Sequence, residues 1–152
     1  MKKIAIISVL AAGVSTLAVA QEFTATFNLI QPVDIAETTQ LDFGNVKLGN
    51  NITCTLAPAD GAASGDACLS SSGTAGVFTI SGDANRNVAV TLNDGSGSGV
   101  TFAPAASQSF DSAVALDGDG KLVFNLGGTL TVSDTASAGA GSVTYTIDVA
   151  YQ

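Results

Sequence analysis

The sequence predicts an all-β protein built as a single antiparallel β-sandwich. Many short runs alternate apolar and polar residues, which is the pattern of strands with one buried face. The runs follow one another closely and are separated by Gly, Asn and Asp, which favour turns. Beyond the first 20 residues, no stretch keeps a helical period over three turns. The 17 glycines suit the number of turns that such a fold requires.

Residues 1–20 have the features of a secretory signal peptide. Lys2 and Lys3 precede an apolar run over residues 4–14, and Ala18-Val19-Ala20 offers the small residues of a cleavage site. The apolar run is shorter than the roughly 20 residues that a membrane span needs. We therefore expect removal of residues 1–20 and no membrane span afterwards. The 152-residue chain would keep 132 residues, which suits one domain.

The charge of the mature chain argues against one class of partner. Cleavage would leave three cations, Lys47, Arg86 and Lys121, against 13 acids, a net charge of −10. An acidic surface repels phosphate backbones, so we expect no nucleic-acid partner.

The strongest strand pattern is the run over residues 143–151. Its apolar face consists of Val143, Tyr145, Ile147, Val149 and Tyr151. Polar or small residues occupy every position between them, so the run predicts a strand with one buried face.

A second alternating run occupies the N-terminal strand, residues 21–32. Phe23, Ala25, Phe27 and Leu29 share one face, and Pro32 ends the strand because it cannot donate to a ladder. The sandwich domain is expected over residues 33–152.

The remaining strands follow the same two-residue period. We predict them at residues 33–35, 41–48 with a bulge at Gly44, 52–56, 76–81, 87–92, 100–102, 113–116, 122–126 and 129–132. Residues 38–40 are turn-like, and residues 49–51 are expected to form a hairpin turn before the strand at 52–56. Residues 57–75 lack periodicity and predict a surface loop. A disulfide between Cys54 and Cys68 would tie this loop in an oxidising compartment, closing about 15 residues.

Little in the chain suggests catalysis. There is no histidine, so neither a Ser-His-Asp nor a Cys-His arrangement can form. We expect no enzyme, no cofactor and no metal. Asp117 and Asp119 form a weak calcium candidate, because alternate carboxylates can converge on a hard cation. The loop lacks the further ligands, and a tight hairpin turn explains the same residues.

Several segments together resemble a known family. They are Leu29-Ile30-Gln31-Pro32-Val33, Leu41-Asp42-Phe43-Gly44, the run 127–132 and the terminal run 145–151. Together they resemble a family of secreted bacterial domains of unknown function, which is similar to the spore-coat-U-like subunits of chaperone–usher pili. The likeness covers nearly the whole mature chain. It departs in the cysteines, which lie later here than the N-terminal disulfide that such pilins usually have.

The resemblance implies an immunoglobulin-like sandwich that lacks one edge strand and is completed by a neighbour. The donor strand would be roughly residues 22–30, with Phe23, Ala25, Phe27 and Leu29 as plugs. The acceptor groove would run along Val143, Tyr145, Ile147, Val149 and Tyr151. The chain would then be a fimbrial subunit at the cell surface, secreted through the periplasm. Its partners would be further copies of itself, a periplasmic chaperone and an outer-membrane usher.

The alternation alone leaves a second interpretation open. The run over residues 21–30 could equally be an edge strand of its own sandwich, and the protein would then be a self-complete monomer at the surface or released. An adhesive or carbohydrate-binding role would suit that monomer. The absence of tryptophan weakens it, because sugar sites usually stack sugars on flat aromatic faces.

Overall fold

The computed structural model describes residues 20–152, so the predicted signal peptide lies almost entirely outside the described part. Residues 20–152 form no helix, and therefore none that is long and apolar enough to cross a membrane. Nine strands are present in this part of the chain. They are β1 (Asp34–Thr39), β2 (Ile52–Leu56), β3 (Ala63–Ser64), β4 (Gly76–Ser81), β5 (Asn87–Gly97), β6 (Val100–Ala106), β7 (Val114–Ala115), β8 (Lys121–Val132) and β9 (Thr144–Tyr151).

All strand pairs are antiparallel and belong to one curled sheet. The main path of paired strands runs β1-β4-β8-β6-β5-β9, while β2 joins β8, β3 joins β2 and β7 joins β5. The predicted all-β, antiparallel character is thus confirmed, in the form of a curled sheet. Strands β1 and β9 stand at the two ends of the path.

Strand β8 holds the sheet together because it changes partners along its length. Its first half pairs with β4 and its second half with β2, while β6 pairs along its other edge. The change occurs at Gly127 and Gly128, where a Cβ on Gly127 would collide with the Leu56 carbonyl oxygen and Gly128 has φ +140°. The prediction of two strands separated at these glycines was wrong, because the glycines admit a close neighbour without ending the strand.

The core follows from the alternation in the central strands. Phe78 and Ile80 of β4 and Phe124 and Leu126 of β8 point inward and are buried. The rings of Phe78 and Phe124 stack with their centroids 5.7 Å apart. Large apolar side chains that meet in this way provide most of the free energy that stabilises such a fold.

A second cluster of buried residues surrounds the disulfide. Cys54 and Cys68 are bonded, as predicted, and Cys54 and Ala67 are fully buried. Residues 57–75 are therefore more than a surface loop, since they contain β3 and an isolated bridge between Ala62 and Ser72.

The strand predicted at residues 41–48 was wrong. Only isolated bridges at Asp42 and Val46 occur there. Gly44 has φ +67° and its N–H donates to Asp42 Oδ1 at 2.8 Å, so the local backbone turns instead of extending. The hairpin expected at residues 49–51 is likewise absent, since β2 pairs with β8 and β3.

The other strands were predicted at the right place. The predictions at 52–56 and 76–81 match the bounds of β2 and β4, whereas those at 87–92 and 100–102 were too short. β5 continues to Gly97 and β6 to Ala106, forming a hairpin whose tip carries Ser98 at φ 53° and Gly99 at φ +75°. Residues 38–39, predicted as a turn, belong to β1.

Candidate functional site

The two end strands of the sheet face each other across an open groove of about 430 Å³. The groove is lined by Ile35, Glu37, Phe78, Val143, Thr144, Tyr145 and Ile147. β1 and β9 thus form its two walls, and β4 contributes Phe78. The curl of the sheet brings these strands together without joining them.

Each wall of the groove keeps one strand edge without a partner in residues 20–152. β1 pairs only with β4, and β9 pairs only with β5. An unpaired edge presents a row of N–H and C=O groups that can bind another strand. The groove is therefore flanked by two such rows.

The two walls run in opposite directions. Near the start of β1, the Gln31 carbonyl accepts a hydrogen bond from the Tyr151 hydroxyl at the end of β9. At the other end, Glu37 of β1 lies close enough to Tyr145 of β9 to affect its ionisation. A strand inserted between the walls would thus be antiparallel to one and parallel to the other.

The groove combines an apolar floor with one acidic group. Ile35 and Glu37 lie on the same face of β1, opposite Ile147 and Tyr145. Burial, and secondly the negative charge of Glu37, raise the pKa of Tyr145 to about 12. The Tyr145 ring also packs edge-on against Phe102 at 5.1 Å, which fixes it at the groove wall.

The predicted acceptor residues divide into two groups. Val143, Tyr145 and Ile147 line the groove. Val149 and Tyr151 share their face of β9 and pack against the core, but they lie beyond the groove. All the odd-numbered residues of β9 are only partly buried. Central strands bury their inward residues more fully, so the inner face of β9 is incompletely covered.

The predicted donor strand, residues 22–30, has no strand partner within residues 20–152, and neither has Gln21 before it. Phe23, Phe27 and Leu29 are 84%, 81% and 85% exposed, and Ala25 is exposed as well. Such exposure of large apolar side chains in an alternating row is costly in water and marks an interaction site. The segment is therefore free of the sheet whose groove lies open.

The chain becomes tied to the domain at Gln31. Its N–H donates to Asp83 Oδ1 at 2.9 Å, and its carbonyl accepts from the Tyr151 hydroxyl at 2.8 Å. The same hydroxyl accepts from the Asp83 N–H at 2.7 Å. Sequence reasoning missed this arrangement, although a tyrosine at the end of a strand and the Gly82-Asp83 turn are visible signs of it.

Asp117 and Asp119 lie in a tight turn before β8. Asp117 Oδ1 accepts from the N–H groups of Asp119 and Lys121 at 2.9 and 2.8 Å. Within residues 20–152, no three acidic or cysteine side chains gather as metal ligands would. The carboxylate of Asp117 thus stabilises a tight turn. The turn is not the predicted hairpin, because β7 pairs with β5 and the start of β8 pairs with β4.

A second cleft of about 400 Å³ lies near the β5–β6 hairpin. Hydroxyl groups dominate its lining, which includes Asn51, Ser96, Thr101, Thr131, Ser133 and Thr135. Ser133 donates to the Gly99 carbonyl at 2.7 Å and thereby holds the hairpin tip.

Comparison with known proteins places the domain in one family and gives it no function. No curated protein and no solved structure matches the chain. Residues 33–151 match the family model described as "Domain of unknown function (DUF4402)", and the exposed segment precedes the matched region. The groove walls and the core all lie within it. The chain therefore belongs to the DUF4402 family.

Proposed function

We propose that this chain is the structural subunit of an extracellular bacterial filament and polymerises by donating residues 22–30 to the groove of another copy. One observation carries the proposal. The same chain has a groove flanked by two unpaired strand edges and an exposed alternating segment that pairs with nothing in the described residues. Within residues 20–152, the groove has two strand edges without a partner, and the segment is a strand-like run without a sheet.

The dimensions of the segment and the groove agree. The walls β1 and β9 have 6 and 8 residues, and the stretch of the donor that carries its four apolar plugs, residues 23–29, has seven. An extended peptide added to a sheet edge gains main-chain hydrogen bonds, and its alternate side chains enter pockets. Phe23, Ala25, Phe27 and Leu29 would then be covered in the filament, whereas they are exposed in the single subunit.

The connection between copies is head to tail and therefore need not close. Each subunit would use its segment on one neighbour and its groove on the other, and such heterologous contacts generate filaments. Before assembly, both apolar surfaces would need a cover. A periplasmic chaperone that occupies the groove, together with an outer-membrane usher, fits this need and the predicted export signal.

Electron microscopy of material shed from expressing cells provides the test. Wild-type cells should shed thin filaments that consist of this chain. Phe27→Asp should abolish them and leave soluble subunits, because a charge would enter an apolar groove. Asn28→Asp is the matched control, since it introduces the same charge on the opposite face of the segment and should preserve the filaments.

Two results would overturn the proposal. The first is wild-type material that consists only of monomer-sized particles under conditions in which the protein is abundant outside the cell. The second is the unchanged persistence of filaments in the Phe27→Asp variant.

The hydroxyl-lined cleft near the β5–β6 hairpin favours a second candidate function, a self-complete surface domain that binds carbohydrate. Hydroxyl and amide groups can recognise sugars without an aromatic platform. A glycan array would decide it: selective binding that Thr131→Val abolishes would support this role, and a blank array would dismiss it.

A further inference from the structure

Gln31 is attached to the domain through both of its backbone polar groups. Both its N–H and its C=O are bound, the first by the Asp83 carboxylate and the second by the Tyr151 hydroxyl. Tyr151 also binds the Asp83 N–H, so the three residues are connected in a closed ring of hydrogen bonds. We call these three residues the Gln31 clamp.

The neighbours of the clamp fix the position of Tyr151. Any Cβ on Gly82 would collide with the Tyr151 hydroxyl, so glycine there allows the close approach. The Arg86 guanidinium lies over the Tyr151 ring, 5.3 Å from its centroid. A cation at this distance attracts the ring face. Pro32 follows Gln31 directly and restricts the backbone on the other side.

The clamp lies where the exposed segment meets the domain, so it restricts the direction in which the segment can run. Residue Asp34 already begins β1, one wall of the groove. To enter its own groove, the segment would have to reverse direction at residues 31–33 and run beside β1. Such a reversal needs Gln31 to rotate, and the clamp binds both backbone groups that would rotate.

We infer that the Gln31 clamp prevents residues 21–30 from filling the groove of their own subunit and so keeps them available to a second copy. This inference rests on the proposed function, because it concerns the same groove and segment. In the extended state the ten residues reach roughly 33 Å beyond the clamp. Without the clamp, insertion of the segment into its own groove would compete with donation to a second copy, since a segment tethered nearby has a high effective concentration.

The test uses the full chain with Tyr151→Phe, Asp83→Ala and the double variant. Hydrogen exchange in the dilute monomer measures protection of the amides in residues 21–30, and filament growth is measured at one fixed concentration. We expect about ten-fold more protection and about ten-fold slower growth in the variants, since each loses one or two hydrogen bonds of the clamp. Asp83→Ala keeps the tyrosine, so it remains informative if Tyr151→Phe folds poorly.

Thr55→Val is the matched control. It removes a hydroxyl that hydrogen-bonds to the Thr129 hydroxyl at 2.9 Å between β2 and β8, away from the clamp, and should change neither readout. The inference would be overturned if, in the clamp variants, the amides of residues 21–30 stay unprotected and the filaments grow at the wild-type rate. Faster filament growth in these variants would overturn it as well. Faster growth would mean that the clamp hinders donation.

A peptide of residues 21–31 separates this failure from failure of the proposed function. It is added to a chain that lacks residues 21–30, which loses no described strand pairing because the first tied residue is Gln31. If the peptide binds but the clamp variants show the same protection and growth as the wild type, the inference about the clamp is refuted and the proposed function is not. Lack of binding would refute the groove as an acceptor, and the clamp with it.

Discussion

Phe27→Ala should leave the single subunit as stable as before and strongly destabilise the complemented one. In the single subunit the Phe27 side chain is 81% exposed and belongs to a segment outside the sheet. Replacement of such a residue usually changes the free energy of unfolding by less than about 0.5 kcal/mol. In the complemented state the same ring would lie in the groove.

The size of the second effect follows from the exposed area. An aromatic side chain buries roughly 200 Å² when it is covered, so the exposed four-fifths of Phe27 amounts to about 160 Å². At about 25 cal/mol per Å², covering this area contributes about 4 kcal/mol. Alanine keeps its Cβ, so the loss should be about 3 kcal/mol, or roughly 100-fold in the affinity of a donor peptide.

A self-complemented chain makes both states measurable by denaturation. Residues 21–30 are moved from the N-terminus to a position after Gln152, joined by a short Gly/Ser linker. Because β9 continues past one end of the groove before the chain ends, the linker lets the moved segment turn back and run along β9 into the groove of the same molecule. Urea denaturation of the unmodified monomer and of this chain then gives the two effects of Phe27→Ala.

The control is Asn28→Ala, whose side chain lies on the opposite face of the segment and should have little effect in either chain. Equal, small effects of Phe27→Ala in both chains would refute the reasoning, because the ring would then not enter the groove. A large effect in the unmodified monomer would refute it as well, since the segment would already be packed there.

Three further outcomes are expected. Deletion of residues 21–30 should leave a folded domain with nearly unchanged urea midpoint, because no described strand pairs with them; collapse of the domain would favour the self-complete interpretation. The raised pKa of Tyr145, about 12 against an ordinary 10.0, means that the folded protein keeps a proton that the unfolded chain loses. Stability should therefore fall as the pH rises from 10 to 12, and Glu37→Gln should lower the pKa of Tyr145 part of the way in a tyrosinate absorbance titration; an unchanged titration would contradict the assigned contact. Replacing Cys54 and Cys68 by alanine should lower the free energy of unfolding by about 3 kcal/mol in urea, and an effect below 1 kcal/mol would show that the loop is held by its packing.

The sequence predicted the fold class well because strand alternation is a local property. Residues 76–81 and 143–151 alternate, and they form β4 and β9 nearly as expected. Failures arose where a tertiary contact overrides the local pattern. Residues 41–48 alternate too, yet the turn at Gly44 and the contacts with the disulfide loop reduce them to isolated bridges.

The candidate site shows the same division. Alternation placed Val143, Tyr145 and Ile147 on one face, and they do line the groove. It could not show that Tyr151 leaves this groove to bind Gln31, because that contact spans 120 positions of the chain. Nor could it show that residues 21–30 lack a partner, since an alternating segment has the same sequence pattern whether it pairs within its own fold or not.

Charge adds a constraint on how copies of this chain could meet. Residues 20–152 contain three cations and 13 acids, so the bodies of two subunits repel each other at close range. In physiological salt this repulsion is screened beyond about 8 Å. The segment carries a single acid, Glu22, and reaches roughly 33 Å from the clamp. Under the proposed donation, residues 22–30 would fill the neighbour's groove and bring Gln31 to its end, so the two acidic bodies would come within the screening distance. The nearly uncharged segment would add little to the repulsion that its burial has to overcome.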